Sequence, residues 1–160
     1  MKWVKTSVKD FLASLGNPIS YGGSHKIFEN PSCKDTVIKI GKEVLKHASV
    51  FKNNEDFCPI LYKIVDCGNV NENYIIIEKL YCDKAKKDVK NLFKDVKWRN
   101  YSWFDYFDLQ RYTDLKEHIN KKYLPLFERI REIVLAIKMS DISPDNFGYD
   151  INGKLKALDL

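Results

Sequence analysis

The stretch Met139-Ser140-Asp141-Ile142-Ser143-Pro144-Asp145-Asn146-Phe147-Gly148, with Leu155-Lys156-Ala157-Leu158-Asp159-Leu160 shortly after it, decides how this chain is read. Asp141 and Asn146 stand in a D-x-x-x-x-N spacing, and Asp159 follows an apolar, strand-like run. A short loop between two strands can aim two carboxylates and one amide into a single cleft. Such a set offers hard oxygen donors for a divalent cation and a carboxylate that can orient or take the proton of a hydroxyl. The same residues also suit a plain turn, since Pro, Asp and Asn favour turns for local reasons. The rest of the chain has to separate the two readings.

Working outward, residues 124–138 carry the clearest helical pattern. Leu126, Phe127, Ile130, Ile133, Val134 and Ile137 share one face, and Pro125 is tolerated in the first turn. This helix runs straight into the Asp141 loop and is expected to be the buried post that positions it. Residues 98–112 are rich in aromatics, read as core because basic residues are not interleaved tightly enough for base stacking. Residues 84–97 are amphipathic through Val89, Leu92, Phe93 and Val96.

The N-terminal half reads differently. Residues 6–15 form a short predicted helix, with Ser7 and Asp10 spaced as a capping box and Gly16 as its stop. A strand, glycine turn and strand follow over 19–28. After an Asn30-Pro31 turn, Asp35-Thr36-Val37-Ile38-Lys39-Ile40 is a third strand. Residues 42–52 return to helical spacing. Residues 59–65 are expected as a strand, 69–73 as a turn, and 73–78 as another strand that is almost wholly apolar and β-branched. Sheet therefore dominates up to about residue 79, and helix dominates after it.

Composition excludes several classes. No apolar run approaches the ~20 residues of a membrane span, and Met1-Lys2-Trp3-Val4-Lys5 lacks a signal-peptide core. Cys33, Cys58, Cys67 and Cys82 make no C-x-x-C pair, and His25, His47 and His118 are far apart, which argues against zinc and for reduced thiols in a cytoplasm. The net charge of +5 comes largely from residues 84–99. That stretch is read as a solvated helix face; nucleic-acid binding would need a denser patch, although an anionic substrate or partner suits the charge.

Taken in order, these features resemble the protein-kinase-like superfamily in a very short form. Tyr21-Gly22-Gly23-Ser24-His25-Lys26-Ile27-Phe28 is similar to the family's glycine-rich loop without the full G-x-G-x-x-G, and Val37-Ile38-Lys39-Ile40 is similar to its V-A-I-K strand. Ile75-Ile76-Ile77-Glu78-Lys79-Leu80 resembles the hinge strand, and Asp141, Asn146 and Asp159 stand in the order of catalytic Asp, metal-binding Asn and metal-binding Asp. The resemblance implies ATP and Mg²⁺. Gly22, Gly23 and Ser24 would cover the nucleotide, Ile27 would sit over the base, and Lys39 would hold phosphates. Backbone groups near Glu78 and Leu80 would meet the adenine edge. Asp141 would orient or deprotonate the acceptor hydroxyl, while Asn146 and Asp159 would bind the metal. Lys39 pairs in the family with a Glu on the next helix; Glu43 is preferred over Glu55, which lies close to Pro59.

Two departures stand out. Met139 occupies the position of the family's His or Tyr, and the sequence ends at Asp159-Leu160, without activation segment or A-P-E motif. Very small proteins of this kind point to a bacteriophage or other mobile element. The expectation is an α+β, two-lobed kinase-like fold. A small antiparallel β lobe with one helix would cover 1–79, and a truncated helical lobe 80–160. Its function would be ATP/Mg²⁺-dependent phosphoryl transfer to a hydroxyl of a protein or small molecule, a host protein being one candidate acceptor. The alternative is a pseudokinase that binds nucleotide or a host protein without turnover. A nucleic-acid binder using residues 84–99 stands behind both, and no membrane partner is expected.

Overall fold

The computed structural model describes residues 8–21, 25–51, 60–70, 72–95, 116–137, 139 and 142–158. It is a mixed α+β structure dividing into two units, residues 1–58 with 62–79, and residues 59–61 with 80–160. The elements of the first unit are α1 (Val8–Ser14), β1 (Ser20–Tyr21), β2 (His25–Glu29), β3 (Thr36–Gly41), α2 (Val44–Phe51), β4 (Ile64–Val70) and β5 (Glu72–Glu78). Those of the second are α3 (Cys82–Asp95), a 3₁₀ turn Lys121–Tyr123, α4 (Leu124–Ile137), a second 3₁₀ turn Pro144–Asn146, β6 (Phe147–Tyr149) and β7 (Leu155–Ala157).

In the first unit the five strands form one antiparallel sheet in the order β1-β2-β3-β5-β4. β-Branched residues fill β3 and β5, as suits strands covered on both faces. Thr36 to Ile40 are all buried. Alternate residues split between two faces. On one, Ile38, Ile40, Tyr74 and Ile76 pack against Phe11, Leu12 and Leu15 of the α1 region and Phe28 of β2. On the other lie Val37, Lys39, Ile75 and Ile77, all buried. The β2–β3 connection is organised by buried Asn30, whose Nδ2 donates to Thr36 Oγ1 (2.8 Å) and whose Oδ1 accepts the Ser32 N–H (3.0 Å).

The expected strand over 59–65 is displaced. The strand starts at Ile64 and runs to Val70, and β5 starts at Glu72, so strand takes in all the described residues of the expected 69–73 turn. Its register shifts between Ile64 and Asp66, a bulge that leaves Val65 as the extra residue. Ile60 and Leu61 belong to the second unit instead, where Leu61 bridges Ala157 in parallel and the Ala157 N–H donates to the Ile60 carbonyl at 2.8 Å.

The second unit has its own core. α3 contributes Ala85, Val89 and Leu92, and α4 contributes Phe127, Ile130, Ile133 and Val134. Ile142, Phe147, Leu155 and Ala157 complete it, all at 2% exposure or less. The expected helix over 124–138 thus stands, with its apolar face inward, and α4 packs on β7. Among the described residues, no helix is long and apolar enough to cross a membrane.

Candidate functional site

In the first unit the register places Ile27 directly opposite Lys39, and Lys39 directly opposite Ile75. The three therefore share one sheet face. Lys39 is only 5% exposed. A buried ammonium is costly unless its charge is met, and the Lys39 Nζ lies 4.8 Å from the centroid of the Tyr62 ring. A cation over an aromatic face in a desolvated setting is stabilised by about 2 kcal/mol. Tyr62 was not legible as a site residue, because it is an aromatic in an apolar run far from Lys39 in sequence.

Glu43 stands exposed in the turn before α2 rather than on the helix, and its carbonyl accepts the Lys46 N–H at 3.0 Å. Glu78 ends β5. Its N–H donates to the Lys63 carbonyl (2.9 Å), and its Oε1 accepts the Lys63 N–H (2.7 Å). The Glu78 carboxylate therefore ties down the entry to β4. Gly22, Gly23, Ser24, Asp141, Asp159 and the alternative Glu55 lie outside the described residues.

The amides following β5 are used unevenly. Lys79 N–H donates to the Asp35 carbonyl at 2.8 Å, and the Tyr81 N–H to the Tyr149 carbonyl at 2.8 Å. The Leu80 N–H has no partner among the described residues, while the Leu80 carbonyl accepts the Cys82 thiol at 3.4 Å. An unspent amide flanked by spent ones is a ready donor for a planar acceptor.

The second unit joins this segment to the Asn146 turn. The Tyr149 N–H returns a 3.1 Å hydrogen bond to the Tyr81 carbonyl, so segment 80–81 and β6 are paired both ways. Gly148 permits that pairing: a Cβ there would lie 2.6 Å from the Leu80 Cβ. Asn146 directly precedes β6. Its N–H donates to the Ser143 carbonyl (3.0 Å), and its own carbonyl accepts the Leu158 N–H (2.9 Å). Asp145 pairs with Lys86 of α3, and this carboxylate raises the lysine's pKa by hydrogen bond and charge. Lys86 thus has a structural task within a stretch read from sequence as a solvated face.

The β6–β7 turn carries chemistry that sequence reasoning passed over. Asp150 Oδ1 accepts the N–H groups of Asn152 (2.9 Å) and Lys154 (2.8 Å), and Gly153 adopts φ 76°, the left-handed residue of this turn. Asp-x-Asn-Gly is a turn signal that could have announced it. Buried Lys156 faces buried Asp150 at 3.7 Å, too long for a hydrogen bond but close enough for charge pairing. On the α3 side, the Tyr149 hydroxyl donates to Asp88 Oδ2 (3.1 Å), and Lys84 Nζ reaches the same oxygen at 3.2 Å. Burial first, and the Asp88 hydrogen bond second, push the Tyr149 phenol up to about 12.

Chemically, the described part offers a buried cation on a β-strand, an unspent backbone donor after β5, and an amide side chain at the head of β6. No protein-family model matches the sequence, and no curated protein matches it.

Proposed function

We propose that the protein is a kinase-like phosphotransferase that moves the γ-phosphoryl group of ATP to a hydroxyl acceptor. The observation that carries this reading is the 2.9 Å hydrogen bond from the Leu158 N–H to the Asn146 carbonyl. It extends the β6–β7 hairpin by one pair beyond Phe147 and Ala157 and so sets the neighbour of Asp159 against Asn146. The D-x-x-x-x-N and strand-Asp pattern needs that proximity.

Further support is local to each unit. Lys39 is on the third strand, where such enzymes keep their phosphate-binding lysine. A phosphate bound there would meet a cation already desolvated and held over Tyr62. Ile27, in register with Lys39, would contribute apolar contact to the base. The Leu80 N–H would donate to the adenine edge, a task its neighbours' N–H groups cannot share because the Asp35 and Tyr149 carbonyls hold them. Asn146 with Asp159 would supply the hard oxygen donors that suit Mg²⁺. Mg²⁺, when bound, would neutralise charge on the phosphates. Asp141 would accept the acceptor's hydroxyl proton.

A second reading, nucleotide binding without turnover, draws on Met139. An apolar side chain only 6% exposed stands where the family carries a polar group that orients the catalytic loop.

The test uses the full chain. Calorimetry should detect Mg-ATP binding, and Lys39→Met, which keeps the buried stem, should weaken it by roughly tenfold or more, the scale of a lost charge-assisted hydrogen bond. Incubation with γ-labelled ATP and candidate acceptors should transfer label in wild type and not in Asp141→Ala. Binding without transfer would establish the second reading. No binding at millimolar nucleotide would remove both.

A further inference from the structure

A groove of about 590 Å³ lies in the second unit, bounded by α3, the start of α4 and the β6–β7 turn. That volume is within the range of sites that bury a small ligand or a few side chains. Its apolar lining comes from Tyr123, Pro125, Leu126 and Leu155. Lys122, Lys154 and Arg129 supply positive charge, and Asp88 supplies the negative.

The charges are not equally committed. Asp88 is already satisfied by Lys84 and the Tyr149 hydroxyl. Arg129 is spoken for as well: its Nε donates to the Leu155 carbonyl (2.9 Å) and its guanidinium pairs with Glu132. Lys122 and Lys154 differ. Both are exposed, and the Lys122 ammonium rests only over the Tyr123 ring at 4.6 Å. Neither has a carboxylate partner among the described residues. Two ammonium groups without a carboxylate partner among the described residues, beside an apolar floor, describe a ligand with both acidic and apolar side chains.

We infer that this groove docks a short acidic segment of a partner protein, with one aliphatic side chain on Pro125 and Leu126 and carboxylates toward Lys122 and Lys154. The segment would be extended, alternating acidic and apolar residues. Nucleic acid fits less well, because a phosphate backbone asks for a run of cations along its track. Among the described residues that line the groove only two are unspent, and the floor between them is aliphatic. The inference concerns binding alone and does not depend on phosphoryl transfer; if the proposed activity holds, the groove would recruit the acceptor through residues remote from the transferred group.

The experiment uses fluorescence anisotropy with the full chain and a fluorescein-labelled, end-capped hexapeptide alternating Glu and Leu. The controls are the same peptide with Lys for Glu and a labelled single-stranded oligonucleotide. The Glu/Leu peptide is expected to bind with a sub-millimolar Kd that weakens as salt rises. The pair Lys122→Glu and Lys154→Glu should weaken it at least tenfold while circular dichroism shows an unchanged fold. Leu126→Ala separately tests the floor and should weaken binding severalfold. Absence of binding at millimolar peptide would overturn the inference, as would equal binding of the Lys/Leu peptide or indifference to the charge reversals. Tighter binding of the oligonucleotide, lost on the same charge reversals, would overturn it in favour of a nucleic-acid site. Because nucleotide is omitted throughout, none of these outcomes bears on the Mg-ATP experiment.

Discussion

Replacing Gly148 with alanine probes the contact on which the coupling of Leu80 to Asn146 depends. The new Cβ would stand 2.6 Å from the Leu80 Cβ, 3.5 Å from its Cδ1 and 3.6 Å from the Cys82 Sγ. Carbon atoms in good contact sit at about 3.5–4.0 Å, so β6 and segment 80–81 would have to part by roughly 1 Å. The opposing atom is a Cβ, fixed to its backbone, so no rotamer change can relieve the clash. The separation would fall on the two Tyr81–Tyr149 hydrogen bonds, now 2.8 and 3.1 Å. Overpacking costs about 1–3 kcal/mol, and weakening those bonds adds about 1 kcal/mol. Urea unfolding followed by circular dichroism should therefore show a loss of roughly 2–4 kcal/mol at unchanged slope. Gly16→Ala is the reference, since its Cβ would meet nothing within 4 Å; it should be neutral or slightly stabilising. Mg-ATP affinity, measured well below the transition, should fall as the Leu80 amide moves. If Gly148→Ala proves as benign as Gly16→Ala, the approach is not rigid and the coupling argument fails.

Ile133, with no exposed surface, should lose about 2–5 kcal/mol on truncation to alanine, and half-buried Ile137 distinctly less; equal effects in thermal melts would contradict the assigned inward face of α4. Tyr149→Phe should cost about 0.5–1.5 kcal/mol near neutral pH through the lost Asp88 hydrogen bond. Burial and the Asp88 hydrogen bond push the folded phenol up to about 12 from an ordinary value of 10.0, so its neutral form is the one the fold favours. That contribution is whole below pH 10 and disappears as pH rises through 12. Wild-type stability should accordingly decline more steeply than that of Tyr149→Phe across this window. Parallel curves would mean the phenol is not held by burial and Asp88.

The strands richest in β-branched residues, β3 and β5, were legible because both faces of each are covered. The α4 helix was legible for a similar reason, its apolar spacing matching the helical period. The misplaced strand has a physical cause. β4 is an edge strand, bulged at Val65 and carrying Asp66, Gly68 and Asn69, and edges require little apolar surface. The apolar run at Ile60-Leu61 that looked like a strand is apolar because it packs in the other unit. At the candidate site, Asn146, Ile27 and Lys39 could be picked out by spacing and type. The environment of Lys39 could not: a lysine among β-branched residues looks outward-facing, and the non-local placement of the Tyr62 ring beside it is not visible in the sequence. Gly148 and the Leu80 amide also escaped notice. One matters for an atom it lacks, and the other is a backbone group that every residue but proline possesses.

The excursion of residues 59–61 into the second unit constrains how the molecule can be made. The chain leaves the first unit after α2, contributes Ile60 and Leu61 elsewhere, and only then returns to lay down β4 and β5. The partner of that excursion is Ala157, more than ninety residues later. Contacts of such sequence separation are slow to form, and during synthesis this one must wait until Ala157 has emerged. Until then Ile60 and Leu61, buried in the finished fold, stay exposed beside a nascent sheet. Cutting the chain between Lys79 and Leu80 would not yield two self-sufficient halves, because the later one would lack the carbonyl that receives the Ala157 N–H. Assembly of the second unit is thus tied to a tripeptide translated long before it.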